Sequence, residues 1–597
     1  MKMRSSLRAL SVVVLFAGLA TAHAQEAERV APEVATRGQV SAERRLPPKV
    51  FAYVSVPSVE ELKSRWAKSQ FGRLVDDRAL AEFRLDLTKQ IAEASEQVER
   101  GLGMPLEDLL EIPSGEVTFA VVQPAGTIAV LGLLDFGGSR AEVDKLLEKA
   151  EEGLKAENAE RKTSEFEGTR IVTYVLPTGA VEDGDADENE GVPAEGGRFS
   201  YFIKDTHLAV ASDVSALEAV LARWNGRHEQ TFADNAFHRY IQSRCTTPGG
   251  TPVAAWFIDP IGLLTAALTS GEQADIQVAL VLGFLPQLGL DSLKGMGGSM
   301  ELGTAEYDSV SRTFIYVEPP VSGVLNVFQF PARDLTPPNW VTGDVASYSA
   351  GNWDVAGAYA AIEKLVDGLS MQPGMFKQLI DNISNEPGAP NVHLKQDIVD
   401  QLTGRFHFVS DFTDPDDVET GRMLVALEVK DAAKMQGVLA TIAQTDGFPG
   451  EVRQFRGETI YEVEQQLPGA GAEAMKMAFG VAQGHLMFAS QVTLLEQVLR
   501  QDQDRRPLAE SPVYKKVAAH FPEKVSMISY SRDAVAVQGA YKTLRSGQLG
   551  MLIPGIDFSK LPPFEDLRKY LGDSGSYSVP DRNGALLVDF TLKANEN

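Results

Sequence analysis

FSYFIKDTHLAVASDVSALEAVLAR, Phe199 to Arg223, returns later in the chain without a gap as MAFGVAQGHLMFASQVTLLEQVLRQ, Met477 to Gln501. Nine of the 25 positions are identical, among them His207 with His485, Ser212 with Ser490 and Leu217 with Leu495. Each copy reads as strand, tight turn, strand and helix. Phe199, Tyr201 and Ile203 alternate with smaller or polar residues until Asp205 and Thr206 interrupt the pattern. The run after His207 is continuously apolar, which suits a strand covered on both faces. Ser212 or Asp213 can then cap a helix whose Val214, Leu217, Val220, Leu221 and Trp224 share one stripe.

Upstream of these 25 residues, which lie 278 positions apart, the repeat continues at a constant spacing of its own. Gly115 and Phe166-Glu-Gly168 match Gly404 and Phe455-Arg-Gly457, and both glycine pairs are 289 positions apart. Unrelated segments do not stay in register over ~50 residues, so the chain reads as an internal duplication. LDSLKGMGGSMEL before RTFIYV resembles FEDLRKYLGDSGSYSV before ALLVDF, so the ends agree too. The expected order, with hairpins outnumbering crossovers, gives an α+β fold: two tandem copies of a mainly antiparallel sheet covered by helices.

Four segments are expected. Residues 1–24 have the layout of a secretory signal peptide, with Lys2, Arg4 and Arg8, an apolar stretch and a terminal Ala22-His23-Ala24. Residues 25–47 are polar and without periodicity and are expected to be a flexible linker. Residues 48–335 make the first unit and 340–597 the second, with the boundary near Pro331 to Pro338. No other stretch reaches the ~20 apolar residues of a membrane span. Gln277 to Leu290 comes nearest, carries a proline, and reads as a buried amphipathic or core helix. The expected location is therefore the periplasm or the outside of the cell, with no transmembrane span after signal cleavage.

Apolar residues make up 44% and charged residues 23%, both globular values. Formal net charge is −26, or −29 once the three cations of residues 1–24 are removed. That surface repels nucleic acid, so no nucleic-acid partner is expected. Cys245 is the only cysteine, so an intramolecular disulfide is excluded.

No reaction is spelled by the sequence. His207 and His485 are the sharpest candidates for metal or proton chemistry, because the same residue recurs in both units. Neither has a second His, Cys or carboxylate at i+2 or i+4, and a strand-opening histidine after a turn more often bonds loop backbone at a sheet edge. Two acidic loops have calcium-like composition. In the first, Asp183, Asp185, Asp187 and Asn189 alternate, but Glu188 replaces the turn glycine and Ala194 the closing glutamate. The second is Asp411, Asp414, Asp416, Asp417 and Glu419. Both read as solvated insertions. Cys245 reads as a packing residue, and Gly469, Gly471 and Ala474 as a loop between strands. The sequence is therefore expected to hold no catalytic, cofactor-binding or metal-ligating residue.

The opening FAYVSVPSVEELKSRW, with HLAVAS before a helix, resembles an exported bacterial family of unknown function, the domain family numbered thirty-three fifty-two. The resemblance implies no activity and carries over no functional residue. The functional expectation is an exported, soluble, non-catalytic cell-envelope protein that binds a protein partner or an apolar ligand, without a cofactor. The alternative is an envelope hydrolase with an unrecognised site.

Overall fold

The structure is a computed structural model, and it describes residues 40–87, 111–177, 197–247, 249–269, 276–386, 389–446, 448–465, 475–500, 506–547 and 556–594. The expected signal peptide, the first acidic loop and the Gly469–Ala474 loop lie outside these residues.

Ten strands form the first half: β1 Val50–Val56, β2 Val117–Val122, β3 Ala129–Asp135, β4 Glu160–Phe166, β5 Thr169–Val175, β6 Arg198–Lys204, β7 His207–Ala211, β8 Ala254–Ile258, β9 Leu293–Leu302 and β10 Tyr307–Val317. Their antiparallel pairings give the order β4-β5-β6-β7-β3-β2-β1-β8-β9-β10. The second half contributes β11 Ser347–Asn352, β12 Leu402–Phe412, β13 Gly421–Val429, β14 Gly450–Phe455, β15 Glu458–Gln465, β16 Met475–Ala482, β17 His485–Ala489, β18 Met527–Arg532, β19 Asp573–Asp581 and β20 Gly584–Leu592. Its order is β14-β15-β16-β17-β13-β12-β11-β18-β19-β20. Strand for strand, the second list repeats the first.

The halves are not separate sheets. β10 pairs antiparallel with β20 from Tyr307 opposite Leu592 to Tyr316 opposite Gly584, so the last strand of each half closes the open edge of the other. An unpaired edge is an aggregation hazard, and this pairing removes one from each half.

Alternation along the strands sends side chains to two apolar layers. On one face of the first half, Leu217, Val220 and Ile241 from helices Val214–Leu221 and Ala236–Cys245 pack with Tyr53, Leu131, Phe202 and Phe257. On the other, Val143 of helix Arg140–Ala156 packs with Ile112, Phe136 and Leu208. The second half does the same with Leu495, Val498 and Val517 on Tyr348, Met487 and Ala489, and with Met435, Val438 and Leu439 on Tyr461 and Leu486. The repeated glycines have a local cause: Glu167-Gly168 and Arg456-Gly457 hold φ of 47° and 71°, and of 53° and 90°, the left-handed pair that a two-residue hairpin turn demands.

Two expectations change. Residues 40–47 are not a loose tether: Ala42–Arg45 is a helical turn, with Ala42 and Leu46 buried in the first core and Arg45 6% exposed. Leu335, assigned to the first unit, packs in the second core together with Val341 and Val345. The connecting segment therefore belongs to the second half.

Candidate functional site

His207 opens β7 inside the sheet, between β6 and β3, and not at an edge. Its register partners are Lys204 and Asp135, and its ring stands edge-on to Trp224 at 5.4 Å. The Arg45 guanidinium lies 4.1 Å over the same indole. Burial, helped by Arg45 and opposed by Asp135 and Asp205, pushes the imidazole down to about 4, so it is neutral at physiological pH. Near Arg45, Glu116 accepts bonds from the Ala42 amide and the Ser55 hydroxyl, both at 2.9 Å. Burial raises the Glu116 carboxyl, while Arg45 acts in the opposite direction.

His485 occupies the corresponding place between β16 and β13. Its Nδ1 lies 2.7 Å from the Gln483 carbonyl, which fits the expected bond to loop backbone. It does not stand alone. His407 of β12 lies 5.2 Å away, ring centroid to ring centroid, and Trp340 is 5.7 Å from His407 and 5.5 Å from His485. The Tyr348 hydroxyl and His407 Nδ1 share a 2.8 Å bond. His407 Nε2, His485 Nε2 and Trp340 Nε1 are buried without a hydrogen-bond partner. Register explains the meeting: His407 and Met487 both oppose Ala426, whose methyl leaves room above β13 for the rings.

The repeat hides His407 in the sequence. Under the 289-residue spacing it falls on Thr118, which bonds Ser55 at 2.9 Å. The available signal was parity, since His407 shares its strand face with the buried Val409.

Two carboxylates of the second acidic loop are paired within the chain. Arg422 holds Asp411 at 2.7 Å, and Asp416 accepts from Lys542 and Gln538. These carboxylates face Arg422, Arg532 and Arg568 across a groove of about 520 Å3. Among the described residues no three His, Cys, Asp or Glu side chains form a cage for a metal ion. Since calcium must displace these cations to bind, millimolar calcium is expected to leave the melting temperature unchanged. A rise of several degrees in a thermal melt would show a site.

Cys245 is fully buried, and burial pushes its thiol up to about 12, which removes the thiolate that nucleophilic chemistry needs. A second groove, of about 350 Å3, lies along the seam between the halves, lined by Ser309, Ser311, Ser529, Ser531, Ser574 and Ser576. Its lining holds no histidine or lysine to activate a serine.

Fold and sites together define an α+β protein built on one large antiparallel sheet, with a buried histidine in the same place in each half. The family model described as a protein of unknown function (DUF3352) matches residues 372–549, in agreement with the resemblance read from the sequence. No curated protein matches the chain. A solved structure titled "Structure of crystal form I of TP0453" aligns with 43% of this chain and 93% of its own, at 12% identity and a TM-score of 0.21. At that level nothing about the known structure transfers to this chain.

Proposed function

We propose that the chain is an exported, non-catalytic cell-envelope protein that arose by duplication and binds a protein partner or an apolar ligand. The repeated strand order supports the duplication. The observation that carries the binding role is a layer of helices with uncovered apolar side chains. Helices Pro260–Thr269, Ile276–Gln287, Val355–Ser370 and Met375–Asn385 pack in succession and expose Leu264, Phe284, Leu369, Leu379 and Ile383. Met371, at the turn between the last two, is 88% exposed with a left-handed φ of 53°. Scattered single hydrophobics need no explanation, but a run of them across adjoining helices marks an interaction surface.

The test is native purification followed by solvent extraction and mass spectrometry, beside wild type and a Met371→Glu, Ile383→Glu variant. An apolar molecule or a stoichiometric protein that accompanies wild type and is lost from the variant is expected. Equal recovery from both, or nothing on either, would refute the reading.

A further inference from the structure

The segment that leads into the second half crosses its core held at its two ends: the Asp334 carbonyl accepts from Arg405, and the carbonyls of Asp344 and Ala346 accept from Arg532. Arg333 and Val525 exchange two backbone bonds of 2.9 and 3.0 Å, the Gly343 amide donates to the Arg506 carbonyl, and the Leu508 amide donates to that of Val341. Along this segment Leu335, Val341 and Val345 are buried. Trp340 stands among them, against His407 and His485.

We propose that residues 333–346 form an acid-released strap, held closed by Trp340 against the neutral His407 and His485 pair and freed when these two imidazoles take up protons.

The reason lies in which atoms can accept a charge. The Gln483 carbonyl can only accept, so the neutral His485 ring carries its proton on Nδ1 and keeps a bare lone pair on Nε2. Protonation turns that lone pair into a donor. Around it stand the Trp340 indole, which also only donates, and the His407 ring 5.2 Å away. His407 is 1% exposed and its other nitrogen is already engaged by Tyr348. The new N–H of His485 finds no acceptor, and two buried cations would face each other.

The other charged groups do not cancel this. Arg405, on the same strand as His407, disfavours a positive charge on both rings, and Glu428 of β13 favours one on His485 alone. Glu428 is itself engaged by the Thr403 hydroxyl at 2.6 Å. Burial first, then His485 and Arg405, push His407 down to about 3, and burial likewise lowers His485. A histidine whose folded pKa is depressed holds the closed state above its free value of about 6.5, and that support is lost as pH falls below it. With two protons taken up together, the open fraction rises by up to about a hundredfold per pH unit. Swinging Trp340 away admits water to both Nε2 atoms and relieves the strain at its source.

The first half marks what is particular to this site. Its Leu46 carbonyl accepts from Phe232 as that of Val341 accepts from Leu508, which places Arg45 where the second half has Trp340. A permanent cation among Glu116, Asp135 and Asp205 takes the place of the indole, and Thr118 takes the place of His407. Only the second half brings two titrating rings under a removable neutral lid.

Tryptophan emission of the full chain reads the strap directly, with Trp340→Phe identifying the contribution of Trp340 among the five tryptophans. Between pH 7 and pH 4 the Trp340 component is expected to shift reversibly to the red while far-ultraviolet circular dichroism stays constant. The His407→Thr, His485→Gln variant is expected to lose the shift. A shift that persists in that variant, or one that runs in step with loss of secondary structure, would overturn the proposal. Hydrogen exchange on wild type removes dependence on the variant's folding: amides of residues 333–346 should gain at least tenfold in rate, corrected for pH, over those of β5 and β6, and a uniform gain would refute a local strap.

Discussion

Phe314→Ala lowers the free energy of unfolding by about 3–5 kcal/mol, the usual cost of emptying a large aromatic site in a packed core. The phenyl ring is fully buried on β10, faces Tyr240 at 5.5 Å, and lies in register with Gly297 on one side and Leu586 on the other. Leu586 belongs to β20 and packs against the cores of both halves. The cavity therefore opens beside the seam where the two halves join. Urea denaturation should show a single transition with a lower midpoint, because loss of packing at β10 is felt on both sides. Two separated transitions in wild type would mean that β10 and β20 pair without uniting the halves. Val54→Ala, on the same sheet but 48% exposed, is the control and should cost no more than about 0.5 kcal/mol.

What was legible in the sequence was what repeats locally. The strand-turn-strand-helix reading of Phe199 to Arg223 holds as β6, β7 and the helix Val214–Leu221, because alternation, turn and stripe are all short-range signals. The repeated glycines were legible for the same reason, since a left-handed turn needs glycine wherever it occurs. The joining of β10 to β20 was not, because RTFIYV and ALLVDF read identically whether they end two sheets or close one. Comparison of the two copies also worked as a filter, and it discarded whatever the copies do not share. His407 was lost in that way, standing against Thr118, and so was the cluster it forms with His485 and Trp340. Residues 40–47 failed for a different reason. Composition marks a segment as polar, but burial here is carried by Ala42 and Leu46, one turn apart, and by the aliphatic stem of Arg45.

That segment yields the second large effect. Arg45→Ala should destabilise the protein by about 3–5 kcal/mol, the range for removing one partner from a buried charge cluster. The side chain is 6% exposed, its guanidinium lies on Trp224, and Glu116, Asp135 and Asp205 all favour its charge. Without it, Glu116 keeps its bonds to Ala42 and Ser55 but loses the nearby cation that opposed its burial. Its carboxyl, already raised, rises further. A carboxyl whose folded pKa lies above its unfolded value penalises the fold while ionised, and the penalty fades as pH falls through the folded pKa. The deficit of Arg45→Ala should therefore be largest near pH 7.5 and shrink towards pH 5. Glu116→Gln in the same background should recover part of it at pH 7.5, since residues in one cluster do not add independently. Denaturation of the four proteins of this cycle at both pH values measures each quantity. A cost below about 1 kcal/mol for Arg45→Ala, independent of pH, would return residues 40–47 to the role of a tether.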